Sequence, residues 1–190
     1  MSLFRLAFGA GEEAIAGAKS SLRRPRTADF DQWKALRLNS RAFLEPWEPT
    51  WPDGEFSRWA FRHRVSAFNE RATNDEGHSF FVFDRASGVL VGGLTLSHIR
   101  RGVSQSGSLG YWMGEPYAGK GYMKDAILAL ISVAKDRFGL HRLEAACIPR
   151  NEASRLLLLA CGFEAEGYAK AYVKIAGHWE DHLLFGRVVD

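Results

Sequence analysis

Three stretches of this sequence predict an α+β fold, a mostly antiparallel mixed sheet flanked by helices. His78 to Asp84, Val89 to Ile99 and Ser108 to Met113 are rich in aromatic and β-branched residues and are separated by turn residues, the pattern of an antiparallel meander. Tyr122 to Phe138 follows a glycine turn and repeats its apolar residues at helical spacing. Tyr168 to Ile175 and Trp179 to Arg187 flank a turn at Gly177 and read as a closing hairpin.

In chain order, Leu3 to Phe8 alternates loosely, as an edge strand does, and Lys19 to Arg24 is a second candidate beyond the small residues Gly9 to Gly17. Arg23, Arg24 and Arg26 read as a solvated charge run. From Asp29 the pattern turns helical: Asp29 and Gln32 form a start like a capping box, Phe30, Trp33, Leu36, Arg37 and Leu38 place an apolar stripe on one side, and the helix ends near Phe43-Leu44. Pro46, Pro49 and Pro52 remove donors and hold their predecessors extended, so Leu44 to Pro52 is a stiff loop carrying Glu45, Trp47, Glu48 and Trp51. Asp53 to Arg71 reads as a second helix with Phe56, Trp59, Ala60, Val65 and Phe68 inward. In the helix after the glycine turn, Met123, Ile127, Leu130, Ile131, Ala134 and Phe138 face the sheet, and Gly139 closes it. Arg142 to Cys147 is a further strand, and Asn151 to Cys161 a short helix with Ala153, Leu156, Leu157 and Ala160 buried.

A chain of 190 residues is read as one domain, 1–190, able to bury about two-thirds of its unfolded surface. Cys147 and Cys161 sit in apolar stretches without paired spacing, as reduced core thiols of a cytoplasmic protein do. No apolar run is long enough for a membrane span, and the N-terminus lacks a signal-peptide pattern. A net charge of +3 is too mild for a dedicated nucleic-acid binder but suits an anionic cofactor. His178 and His182 have the i, i+4 spacing of a zinc helix, yet on a strand they stand roughly 13 Å apart, so no metal is expected.

The turn Gly119-Lys120-Gly121 carries the chemistry. Without a Cβ, its glycines let successive backbone N–H groups approach a ligand, and the helix that starts there adds unpaired donors and a positive dipole end. Such a turn suits a phosphate or pyrophosphate. It is not a Walker A loop, because Tyr122 stands where Lys is needed, nor a dinucleotide fingerprint, because the third glycine is absent.

With Asn151-Glu-Ala-Ser154 after a later strand, this turn resembles the pyrophosphate loop of the GCN5-related N-acetyltransferases (GNAT), which bind acetyl-CoA. Pro116 stands where that family usually has Gln or Arg, as in its protein-N-terminal branch. Phe43-Leu-Glu-Pro-Trp-Glu-Pro49, Leu109-Gly-Tyr-Trp112, Gly119-Lys-Gly-Tyr-Met123, Gly162-Phe-Glu-Ala-Glu-Gly-Tyr-Ala-Lys170 and Gly177-His-Trp-Glu-Asp-His182 are most similar to ribosomal-protein-alanine N-acetyltransferases. Residues 1–18 match poorly.

The resemblance implies the GNAT fold and a set of site residues. The strand ending Tyr111-Trp112-Met113 splays from its neighbour, leaving Trp112 and especially Met113 beside the pantetheine arm. Gly119, Lys120, Gly121, Tyr122 and Met123 hold the pyrophosphate, and Asn151 fixes the pantetheine. Lys120, Lys124, Arg150 and Arg155 are candidates for the remaining phosphate. Ser154 is the candidate catalytic donor to the leaving thiolate; the tyrosine that many acetyltransferases place four residues later is Leu158 here. An α-amine, with a pKa of about 7.7–8.0, needs only mild proton removal, for which Glu48, or Glu45, is the candidate base, with Glu48 also the candidate amine anchor. Glu45 and Trp47 are candidate acceptor contacts.

Three functions compete: acetylation of a protein N-terminus, acetylation of a small amine such as a polyamine or aminoglycoside, and non-catalytic acyl-CoA binding. The rigid aromatic loop favours the first, since an extended peptide needs a lined groove. The resemblance narrows the acceptor to a ribosomal protein beginning with Ala or Ser. Either a monomer or a homodimer fits.

Overall fold

The computed structural model describes residues 14–189; the strand expected over Leu3 to Phe8 lies outside them. Ile15–Ala16 (β1), Ser20–Arg23 (β2), His78–Asp84 (β3), Leu90–Arg100 (β4), Ser106–Met113 (β5), Arg142–Cys147 (β6), Glu164–Ile175 (β7) and His178–Val188 (β8) form one sheet in the order β1-β2-β3-β4-β5-β6-β8-β7. The expected meander is β3 to β5 and the expected hairpin is β7–β8. Every pairing is antiparallel except β5–β6. Parallel neighbours need a crossover, and the helix Tyr122–Phe138 (α4) supplies it.

Helices cover both faces. On one, Met123, Ala126, Ile127, Leu130, Ile131, Ala134 and Phe138 of α4 pack on Val82, Leu94, Leu96 and Leu143, joined by Leu158 from Glu152–Ala160 (α5). On the other, Phe30, Trp33 and Leu36 of Phe30–Asn39 (α1) and Phe61 and Val65 of Arg58–Thr73 (α3), separated in sequence by the short helix Arg41–Leu44 (α2), pack on Phe81, Phe83 and Leu90. β3 is therefore buried almost throughout, which explains why His78-Ser-Phe-Phe-Val-Phe83 lacks polar alternation.

One irregularity positions the site. β5 and β6 pair from Ser106–Arg142 to Leu109–Ala145 and then stop, although β5 runs to Met113 and β6 to Cys147. Their outer edges stay paired, Met113 with Gly92 and Cys147 with Leu183, so a wedge opens between them. Gly114 N–H donates to Val91 O at 2.9 Å, toward β4. Backbone groups of alternate residues turn to opposite edges, so Trp112 also faces β4, whereas Tyr111 and Met113 turn theirs into the wedge.

Four local expectations are corrected. Asp29 and Gln32 do not cap α1: an Asp29 oxygen accepts the Arg26 N–H at 2.7 Å and both oxygens take Arg23, while Gln32 Oε1 accepts from Leu90 N–H at 3.2 Å. Arg23 is thus paired within the fold and lies over the Phe83 ring, not simply solvated. The helix α3 begins at Arg58, not Asp53, because Ser57 Oγ caps the Ala60 N–H; that register buries Phe61 and leaves Trp59 70% exposed, against His63. In α5, Leu158 and Cys161 are buried, while Ala153, Leu156 and Ala160 are exposed. The Asn151 cap described below sets that rotation.

Candidate active site

Sequence-local features build the candidate phosphate cradle. Glu115–Tyr117 makes one 3-10 turn with Pro116 in its first turn, and Gly119 and Gly121 follow at φ +70 and +83, the left-handed region that suits glycine. Asp125 N–H is bonded to Gly121 O at 3.1 Å, so the Tyr122, Met123 and Lys124 N–H groups before it lie at the open start of α4. With no Cβ at Gly119 or Gly121, these donors and the dipole end of a 17-residue helix fit a diphosphate. The Met123 side chain is buried in the core, and only its backbone faces this opening.

A segment remote in sequence braces the cradle. Asp125 accepts from the N–H groups of Ala18, Lys19 and Ser20 and from Ser20 Oγ, at 2.7–3.0 Å. Burial alone would raise the Asp125 pKa, but these four donors outweigh it and hold the carboxyl below its usual range. Lys19 Nζ reaches Lys120 O at 2.7 Å and lies 4.3 Å from the centre of the Tyr122 ring.

Ser154 sits beside the wedge. Asn151 Oδ1 caps α5 by accepting the Ser154 N–H at 3.0 Å, and this turns Ser154, Leu158 and Cys161 to one side. Ser154 Oγ lies 2.8 Å from Tyr111 Oη, from the lip formed by β5. Cys147, at the end of β6, is on the other lip and also neighbours Ser154. Burial pushes both the Tyr111 phenol and the Cys147 thiol up, so both stay protonated at neutral pH. The site thus offers hydroxyl donors and no nucleophilic thiolate.

Successive side chains of a strand point to opposite faces, so Trp112 takes the other face of the wedge. Expected to face the cofactor, Trp112 instead lies against the Arg37 guanidinium, 4.9 Å from its ring centre. Arg37 is buried and also lies 4.5 Å from the Trp51 ring. Both of its terminal nitrogens reach Glu48, one at 2.7 Å, and Trp51 Nε1 donates to Glu48 at 2.8 Å. The Glu48 carboxylate is therefore engaged on both oxygens, not standing free as a base would. Glu45 pairs with Arg41 instead, at 2.6 Å.

The proline loop is tied to the last hairpin. Ala176 N–H donates to Glu48 O at 2.9 Å, and Arg150 lies 5.7 Å from the Trp47 ring while pairing with Glu180 at 2.7 Å. A 310 Å³ pocket adjoins this clasp, lined by Ile148, Arg150, Tyr168, Trp179, Glu180 and Asp181. Of the cations expected at the remaining phosphate, Arg150 is held by Glu180 and Arg155 by Glu152; Lys120 and Lys124 are exposed.

Sequence reasoning missed Lys19, Asp125, Arg37 and Tyr111 as site residues. Only Tyr111 carried a signal, as part of the Leu109-Gly-Tyr-Trp112 match. His182 is buried, its Nδ1 beside Glu180 O at 3.0 Å. Among the described residues no group of three or more His, Cys, Asp or Glu could hold a metal ion, and no helix is long and apolar enough to cross a membrane.

A parallel strand pair that parts beside paired hydroxyls, with a turn that fits a diphosphate at the start of the connecting helix, is the geometry an acyltransferase uses. The chain belongs to the acetyltransferase (GNAT) domain family, whose model matches residues 21–164. It is 32% identical over 170 residues to the probable N-acetyltransferase YjcK of Bacillus subtilis, covering 90% of this chain and 94% of that one. It is 34% identical over 158 residues to the [ribosomal protein uS5]-alanine N-acetyltransferase of Escherichia coli, covering 82% and 81%. The structure of a ribosomal-protein-S5-alanine acetyltransferase from Vibrio fischeri superposes with a TM-score of 0.86 at 31% identity, covering 94% and 98% of the two chains. Mycobacterium smegmatis RimJ in complex with CoA-disulfide gives 0.84 at 30% identity, covering 93% and 84%.

Proposed function

We propose that the protein moves an acetyl group from acetyl-CoA to the N-terminal α-amine of a protein, a ribosomal protein beginning with Ala or Ser. The observation that carries this is the wedge itself: paired hydroxyls line one face, and on the other a rigid aromatic loop is clasped to a hairpin. Two of the relatives named above, from Escherichia coli and Vibrio fischeri, are named as alanine acetyltransferases of a ribosomal protein, which supports the acceptor class.

In this reading the cradle from Gly119 to Met123 takes the pyrophosphate, and the Met113 backbone pairs with the pantetheine arm. Asn151 spends its Oδ1 on the helix cap and keeps its amide N–H₂ for the pantetheine. The thioester carbonyl then lies in the wedge, where the neutral amine attacks it from the Trp112 face. As the tetrahedral intermediate collapses, the C–S bond breaks and the sulfur takes a proton from Ser154 Oγ. Tyr111, kept protonated by burial, donates to Ser154, re-protonates it and regains its own proton from water, so that the proton lost by the amine balances the one given to sulfur. The nitrogen that has attacked loses its surplus proton to water, since the Glu48 carboxylate is taken by Arg37 and Trp51. Trp47 and the loop's three prolines give the first residues of an extended terminus a preformed path.

A small polycationic acceptor would need free carboxylates near the wedge. Glu48, Glu180 and Asp181 are each already engaged, by Arg37, Arg150 and Tyr168. The deciding experiment incubates the protein with acetyl-CoA and a library of peptides differing at the first residue, then identifies the acetylated members by mass spectrometry. Acetylation of Ala- and Ser-starting peptides is expected; a far higher kcat/KM on spermidine or an aminoglycoside would replace this reading.

A further inference from the structure

We propose that Lys19 is a positioning residue that sets the glycine turn for the cofactor's pyrophosphate, a role that rests on the acetyl-CoA reading above. In a trans peptide the C=O and the following N–H point in opposite directions. Lys19 Nζ pins the Lys120 C=O from the β2 side at 2.7 Å, so the Gly121 N–H of the same plane is turned the other way, to join the open donors at the start of α4. Gly121 sits at φ +83 without a Cβ, so its own torsions allow this plane to rotate easily, and an external clamp is needed to select one orientation.

The clamp is itself held. Lys19 lies in the turn between β1 and β2, which closes by a Gly17 N–H to Ser20 O bond of 2.8 Å. Asp125, in the first turn of α4, grips this turn through four donors. Their contact is close enough that a Cβ at Gly17 would stand 2.2 Å from Asp125 Oδ2. From the other side, Arg85 donates its backbone N–H to Lys19 O and its guanidinium to Gly17 O. Tyr122 lies beneath the ammonium, which shields the Nζ–carbonyl bond on one side. A closed circuit results: the helix start holds the turn, the turn delivers Lys19, and Lys19 orients the last peptide before the helix. The ammonium also adds a full charge next to the positive end of α4, where the diphosphate would lie.

The test compares ligands that keep or lack the pyrophosphate. Calorimetric Kd values for acetyl-CoA, acetyl-dephospho-CoA and S-acetylpantetheine are measured on the wild type, Lys19→Met and Lys19→Arg. Lys19 is exposed, so the variants are expected to fold, and thermal unfolding checks this. Loss of one charge-assisted bond is expected to raise Kd about tenfold for both pyrophosphate compounds. S-acetylpantetheine should bind Lys19→Met as it binds the wild type, and Lys19→Arg should recover most of the loss. Unchanged acetyl-CoA affinity in Lys19→Met overturns the proposal, as does an equal loss for all three ligands, which marks a general structural effect. A loss confined to acetyl-CoA overturns it too, because Lys19 would then read the 3′-phosphate. If the wild type binds none of the three, the acetyl-CoA reading itself fails.

Discussion

Tyr111 Oη and Ser154 Oγ lie 2.8 Å apart at the point where β5 and β6 part, joining two residues 43 positions distant. Either atom could be the donor, but a protonated phenol that donates leaves the serine O–H free for the leaving sulfur. Ser154→Ala is therefore expected to lower kcat by about tenfold to a thousandfold with little change in acetyl-CoA affinity. Tyr111→Phe should cost less, and the double variant should be no slower than Ser154→Ala, since groups acting as a unit are not additive. Initial-rate kinetics on the three variants decide it; a larger loss in Tyr111→Phe than in Ser154→Ala would make the phenol the donor to sulfur.

Gly121→Val addresses the cradle. A Cβ at this position meets no protein atom within 4 Å, so the substitution acts through the open space where the ligand would lie and through the strain of φ +83. That strain is on the order of 1–3 kcal/mol. The expected result is a folded protein with a lowered Tm and no measurable acetyl-CoA binding by calorimetry. Unaltered affinity in the folded variant would show that the pyrophosphate lies elsewhere.

The Arg37–Glu48 pair links the acceptor loop to the core. Removing Glu48 leaves Arg37 buried between Trp51 and Trp112 without its carboxylate, and breaking such a pair from one side costs about 3–5 kcal/mol. Glu48→Ala should therefore unfold at lower denaturant concentration as well as raise the KM for peptide. Glu48→Gln, which keeps an acceptor for Arg37, should recover part of the stability. If Glu48→Ala is as stable as the wild type by urea titration, the pair is not supporting the loop.

Acid sensitivity is expected from His78, which is buried against Phe80 and Phe138. Burial first, and then the nearby Arg24, lower its pKa from 6.5 to about 4. Between those values the unfolded chain binds a proton that the folded chain refuses. The stability it contributes is complete above pH 6.5 and falls as the pH drops toward 4, by about 3 kcal/mol in all. Urea titrations at pH 7 and 4.5 measure the slope, and His78→Gln should flatten it; an equal slope in that variant assigns the acid sensitivity to the carboxylates.

The sequence alone determined the parts governed by neighbouring residues. The β3–β5 meander, the inward face of α4 and the glycine turn follow from periodicity and from backbone freedom at glycine, both local sterics; the proline loop follows only in part, because Glu45 before Pro46 is helical and not extended, and Glu45–Trp47 makes a 3-10 turn that accepts proline at its start. Ser154 and Asn151 were legible because one motif carries both. The tertiary structure alone decided where those parts face and what they touch. The Asn151 cap and the packing of Leu158 rotate α5 away from the face that Ala153, Leu156 and Ala160 suggested, because several apolar faces of a leucine-rich helix are nearly equivalent until it meets a sheet. Glu48 reads as a free carboxylate until α1 brings Arg37 to it, and Asp29 and Gln32 as caps until Arg23 and Leu90 arrive. Lys19 meets Lys120 across 101 residues. Such contacts leave no periodic trace, since they depend on closure of the distant chain and not on the residues beside them.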